Sequence, residues 1–226
     1  MRTKLASVPY TDSAGSLGGL VLIAALAYVI GSFSSGFVVG KLYRNVDLRR
    51  VGSGSTGSTN ALRALGPGAA ALVAILDVSK GALAVFMAQL FVPAASDWRP
   101  VAEAAAGTLA VVGHCWPVTL RGRGGRGIAT GFGALLFIAS PSAFSALLFF
   151  GAAIALTRIV SVASLSSVVG AFVGYVALGA LGVLPFHWAP LAFIVVCGLI
   201  VYVRHLDNIR RLLAGREPRL GDPLRS

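Results

Sequence analysis

Charge is what this sequence has least of. Only 12% of the 226 residues are Asp, Glu, Lys or Arg, about half the share of an ordinary soluble domain. Too little polar surface remains to meet water on every side. That excludes a soluble globular domain and a disordered tail. Acidic residues are scarcer still, 8 against 19 Lys and Arg, and they form no carboxylate cluster for a metal. Cysteine is nearly absent. Cys115 and Cys197 sit in separate apolar stretches without CxxC or metal-ligand spacing, so a disulfide scaffold is excluded. Both read as small buried hydrophobes. No G-x-S-x-G elbow is present, and no repeat of solenoid length.

Apolar sequence takes the place of charge. Hydrophobic residues make up 56% of the chain and mean hydropathy is +0.83. One membrane span needs about 20 apolar residues. Residues 17–40 carry no charge, 68–92 are interrupted only by Asp77 and Lys80, and 104–120 form a third stretch. Residues 127–157 run 31 positions without charge, and 159–203 run 45. The last run divides near Gly182 and Pro185 into spans at 161–181 and 187–204. Residues 1–16 are a polar tail, too long and without an A-x-A site for a cleaved signal.

Basic residues orient these spans. Lys41, Arg44, Arg49, Arg50 and Arg63 follow the first, Arg121, Arg123 and Arg126 the third, and a tail at 205–226 adds Arg210, Arg211, Arg216, Arg219 and Arg225. If 127–157 breaks at Ser140-Pro141 into two short spans, every basic segment faces one side. The positive-inside rule then predicts an all-α polytopic membrane protein in one domain, 1–226. It has seven transmembrane helices, the N-terminus outside and the C-terminus in the cytoplasm. Short spans at 127–157 imply a protein-lined cavity.

Three segments carry candidate chemistry. Val51 to Arg63 is rich in Gly, Ser and Thr, which frees backbone N–H groups for an anion, and a helix starting near Asn60 adds its N-terminus. It is not a P-loop, because Ser58 stands where lysine is required. Arg121 to Gly131 intersperses three arginines with Gly122, Gly124, Gly125 and Gly127; glycine permits close approach and guanidinium binds phosphate bidentately. His205 and Asn208 stand at i, i+3 and share a helical face. Ser161 and Ser164 can line a polar pocket, or pack as ordinary membrane-helix serines. Asp77 and Lys80 can pair within their span or face a substrate. His187 reads as an interface residue, and His114 is undecided.

Together these segments resemble one family, the bacterial membrane glycerol-3-phosphate acyltransferases that use acyl phosphate (the PlsY family). The likeness lies in Asp47–Gly66, Asp77–Gly81, Gly113–Pro117, Gly124–Thr130, Arg158–Ser164 and His205–Glu217. The resemblance implies a cofactor-free, metal-free acyl transfer at the cytoplasmic face of the bacterial inner membrane. Long-chain acyl phosphate would acylate the 1-hydroxyl of glycerol 3-phosphate, giving lysophosphatidate in the first acylation step of phospholipid synthesis. The partners are the bilayer and an upstream acyl-phosphate-forming enzyme, with no nucleic acid. It implies catalytic roles for Ser53, His205 and Asn208. It places Arg63, Asn60, Gly124, Gly125, Arg126, Gly127 and Ser164 at the substrate phosphates, and makes Glu217, Asp77 and Lys80 structural. Departures are Ser55 for asparagine, Ser58 for alanine and Arg126 for lysine. His205 is either the base or a donor to phosphate; the donor role is preferred, because a cationic pocket disfavours proton uptake. A phosphate transporter is the alternative from another class, but it calls for matched broken helices in two halves. A lipid-binding scaffold is a third.

Overall fold

The computed structural model describes residues 17–222; the tail at 1–16 and Arg225 lie outside them. Among the described residues there are ten α-helices and no strand: α1 (Leu17–Ser32), α2 (Ser35–Arg44), α3 (Ser58–Leu65), α4 (Pro67–Phe91), α5 (Arg99–Cys115), α6 (Ile128–Ile138), α7 (Ser140–Thr157), α8 (Val160–Ala180), α9 (Trp188–Arg204) and α10 (Leu206–Leu213). α1 and α2 together read as one apolar helix of 28 residues, and α4, α7 and α8 are also long and apolar enough to cross a membrane. α9 becomes a fifth when taken with α10, which leaves it at 59°. α5 and α6 are shorter. At 1.5 Å per residue α6 is only about 16 Å long, against about 30 Å of hydrocarbon.

Breaks fall where the chain cannot continue a helix. The long uncharged run splits at Ala139, and Pro141 sits in the first turn of α7, where its missing N–H costs nothing. The third stretch is displaced from its expected bounds of 104–120. α5 starts at Arg99 and stops at Cys115. Arg99 is helical, not a loop charge, because Nε pairs with Glu103 Oε1 at 2.5 Å and Nη1 donates to Val92 O at 2.6 Å. Pro117 ends the helix by driving Trp116 out of helical φ/ψ.

Large apolar side chains point outward: Leu148 is 70% exposed and Leu156 85%. In water such a surface drives aggregation; in hydrocarbon it is the solvent-compatible face. The interior is built of small residues, with Ala134, Ala143, Ala146 and Ala171 in one core cluster. Backbones therefore approach closely. α4 and α6 cross at a reciprocal pair, where a Cβ on Gly81 would overlap Thr130 O and one on Gly133 would overlap Val78 O. The second glycine loop, 121–127, packs against the end of α5, where Gly124 and Gly125 lie close to His114.

Candidate active site

Four helices begin at one cavity. The N-termini of α3, α6, α8 and α10 supply Ser58 and Thr59, Ile128 and Ala129, Val160 and Ser161, and Asn208 to its wall. The first N–H groups of a helix have no intrahelical acceptor, and each helix brings positive dipole potential there. The cavity and its open mouth hold about 600 Å³ of empty space. Arg63 and Arg126 also line it. Neither makes a hydrogen bond or salt bridge among the described residues. Burial pulls Arg126 down to about 10, and the cations Arg211, Arg204 and Arg63 pull the same way against Glu217. A group this crowded by like charge gains from a bound anion.

The first loop is shaped from within by Asn60. Its Nδ2 donates to Leu48 O at 2.9 Å, Val51 O at 3.0 Å and Ser55 O at 2.8 Å, while Oδ1 accepts from Ser53 N at 3.1 Å. These bonds saturate the amide. Asn60 therefore holds the loop while also bordering the cavity. Ser53 stands exposed at the cavity rim.

The corner between α9 and α10 presents acceptors. Asn208 Nδ2 donates to Glu217 Oε1 at 2.5 Å, and Ser161 Oγ donates to the same oxygen at 2.8 Å. Arg211 Nε donates to Glu217 Oε2 at 2.7 Å. With its NH₂ group committed to a carboxylate, Asn208 keeps Oδ1 buried and without a partner. His205 Nδ1 lies 2.8 Å from Val201 O. A carbonyl only accepts, so Nδ1 carries the proton and Nε2 is a lone pair. Burial, the largest cause, lowers His205 to about 4 with help from Arg126 and Arg204. Burial, more than the neighbouring cations, favours the neutral ring. A neutral ring with Nδ1–H spent on Val201 cannot donate to phosphate, which corrects the preferred donor role.

Ser164 and Gly127 line the cavity. Gly124 and Gly125 are buried behind it, and Lys80 lies a layer deeper beside Asp77, at 2.8 Å. The sequence leaves His114 undecided and gives Arg204 no role in the site. His114 borders the cavity and lies 2.7 Å from Lys80 across 34 residues. Arg204 donates to Gly125 O at 3.1 Å and Gly124 O at 3.3 Å. No local pattern reports contacts so distant in sequence. Among the described residues no group of three His, Cys, Asp or Glu can hold a metal ion.

A second cavity of about 1240 Å³ adjoins the first and shares Thr59, Gly127, Ala129, Val160 and Ser164 with it. Its deeper wall is apolar, with Leu135, Leu147, Phe150, Phe193 and Ile194. A cation-lined chamber adjoining an apolar one, inside a helical body with an apolar surface, is the architecture of a membrane protein that handles an amphipathic substrate.

The comparisons name that chemistry. Residues 21–215 match the family model described as glycerol-3-phosphate acyltransferase, and the chain belongs to that family, the PlsY family. It is 44% identical over 202 residues to a glycerol-3-phosphate acyltransferase of Synechococcus sp. (strain CC9902), covering 89% of this chain and 96% of that one. It is 41% identical over 207 residues to one from Gloeobacter violaceus, covering 89% and 95%. The crystal structure of PlsY (YgiH), an integral membrane glycerol 3-phosphate acyltransferase in its glycerol 3-phosphate form, superposes with a TM-score of 0.79 at 33% identity, covering 90% of this chain and 96% of that chain. The lysophosphatidic acid form gives 0.77 at 31%, with the same coverage.

Proposed function

We propose that this chain transfers an acyl group from acyl phosphate to the 1-hydroxyl of glycerol 3-phosphate, releasing phosphate and 1-acylglycerol 3-phosphate. Acylation of glycerol 3-phosphate to lysophosphatidic acid follows from the family and from the two ligand forms of the structural relative. One observation carries the choice of donor. The anion cavity and the apolar cavity share a wall at the start of α6 and α8. A donor whose acyl chain ends in a compact phosphate suits that junction, with the phosphate in the cation-lined cavity and the chain in the apolar one.

In this reading Arg63, Arg126 and the four helix N-termini hold the two phosphates. His205 Nε2 and Asn208 Oδ1 are acceptors, so they receive O–H groups of the glycerol rather than phosphate oxygens. Ser53 closes the rim. The hydroxyl oxygen attacks the acyl carbon and the new ester C–O bond forms. The anhydride C–O bond breaks, phosphate leaves with the electron pair, and the hydroxyl proton passes to a phosphate oxygen. A histidine held near 4 is a poor store for that proton. Positioning and the fixed positive field supply the catalysis. The site faces the cytoplasm in a seven-pass arrangement with the N-terminus outside, supported by the basic segments gathered at the cavity end.

Purified protein given acyl phosphate and glycerol 3-phosphate is expected to yield lysophosphatidate and inorganic phosphate in equal amounts. Turnover with a thioester donor and none with acyl phosphate would sink the donor assignment. For topology, cysteines placed at 55, 124 and 220 are expected to resist an impermeant reagent in intact cells. Ready labelling at 220 alone would overturn the seven-pass arrangement.

A further inference from the structure

At the floor of the cavity, where Asp77 and His114 line it, lies a buried polar chain that the proposed reaction leaves without a task. Lys80 Nζ is 2.8 Å from Asp77 Oδ1 and 2.7 Å from His114 Nδ1, and it donates to Phe33 O at 2.9 Å. Ser35 Oγ donates to the same Asp77 oxygen. Phe33 lies in the break between α1 and α2, and Ser35 opens α2. Lys80 stands nearer to Asp77 and His114 than these two stand to each other, 3.4 Å, so the ammonium bridges them. An ammonium only donates. His114 Nδ1 therefore accepts, and the ring proton sits on Nε2. Rotamer and tautomer are both locked.

The far edge of that ring meets the second glycine loop. A Cβ on Gly125 would overlap His114 Nε2 and Cε1. The His114 carbonyl accepts Gly125 N–H at 3.0 Å. From the other side Arg204 holds the Gly124 and Gly125 carbonyls, with its guanidinium 5.5 Å from the Trp116 ring centroid. The next residue is Arg126, which enters the cavity.

We propose that Asp77, Lys80 and His114 are positioning residues that lock the His114 ring as the seat of the second glycine loop and so aim Arg126 at the substrate phosphate. This rests on reading Arg126 as a phosphate ligand. Packing alone does not explain the cluster. Apolar side chains of similar volume join helices at least as well as a buried ion pair, and charges are costly at membrane depth. What apolar residues cannot do is fix the orientation of an imidazole.

The test uses full-length protein in detergent, measuring KM for glycerol 3-phosphate, kcat and thermal midpoint. Gly125→Ala is expected to raise KM about 10- to 100-fold, as a displaced binding group does, with kcat and midpoint changed far less. His114→Asn keeps an acceptor for Lys80 but removes the ring edge. In that background the Gly125→Ala methyl has room, so the double variant recovers much of the lost affinity. If the two penalties add instead, or Gly125→Ala leaves KM unchanged, the ring is not the seat of the loop and the proposal falls. His114→Phe keeps the bulk and offers Lys80 no acceptor, so KM is expected to rise there too; an unchanged KM removes Lys80 and Asp77 from the device. Arg126→Ala is the separate control: an unchanged KM in that variant sinks the phosphate reading itself, independently of the loop variants.

Discussion

Two polar clusters lie side by side in this protein and are built on opposite terms. In the cluster of Asp77, Lys80, His114 and Ser35 the charges are met by each other and by a backbone carbonyl. Around the cavity Arg63 and Arg126 have no such partner among the described residues, and Asn208 Oδ1 is buried without one there. A membrane protein cannot leave buried polar groups unsatisfied without loss. The satisfied cluster needs no ligand, and the unsatisfied one is the candidate binding site.

The sharpest way to break this contrast is to remove one member of the satisfied cluster. Lys80→Met leaves Asp77 ionised and unpaired, which is expected to cost about 3–5 kcal/mol of stability. The double variant Asp77→Asn/Lys80→Met is expected to recover most of it. Thermal unfolding in detergent reads both, and a single variant as stable as wild type would show that the pair is not desolvated.

The unsatisfied cluster should respond in the reverse sense. Arg63→Ala is expected to lower kcat/KM about 10- to 100-fold, since each charge-assisted bond contributes about 1.5–3 kcal/mol. Its thermal midpoint should hold or rise, because a like charge facing Arg126 is gone. Wild-type kcat/KM in a folded Arg63→Ala protein contradicts the site.

pH separates the two readings of His205. Burial lowers its pKa from 6.5 to about 4. Between those values the unfolded chain binds a proton that the folded chain does not, so stability falls as pH drops from about 6.5 towards 4. Glu217, also lowered, adds an acid-side loss of its own below its ordinary 4.5. The informative quantity is therefore the difference between wild type and His205→Gln, whose midpoint should decline less over that range. A wild-type activity limb near pH 6.5 that Gln removes would mean that the ring titrates at its ordinary value.

The smallest effect is expected at Arg126→Lys. Lysine keeps the charge and changes only the donor geometry, so turnover should stay within a few-fold of wild type, as measured by phosphate release. A loss as large as that of Arg63→Ala would show that the bidentate fork itself is required.

Much of this was legible because membrane spans are written locally. Apolar runs bounded by glycine, proline and charge lie within two residues of α4, α8 and α9, and the break in the long uncharged run falls next to Pro141. α5 was displaced because Arg99 and Glu103 neutralise each other one turn apart inside a helix, which a count of charges reads as loop. The two glycine loops and the His205–Asn208 face were readable as candidate site elements from residue type and spacing, and residues of all three border one cavity.

The partition of roles within the site was not readable there. Asn60, Asn208 and His205 are all polar residues beside glycine loops. What each can offer a substrate depends on which of its atoms the fold has already used. Asn60 spends its whole amide on the first loop. Glu217 turns the oxygen of Asn208 to the free side, and Val201 takes the proton of His205. Composition and periodicity determine that a chain is membrane-bound and helical, because burial in hydrocarbon acts on every residue in turn. Hydrogen-bond direction is decided only when residues as far apart as Lys80 and His114 are packed into contact, because a donor is committed by its neighbour and not by its own identity.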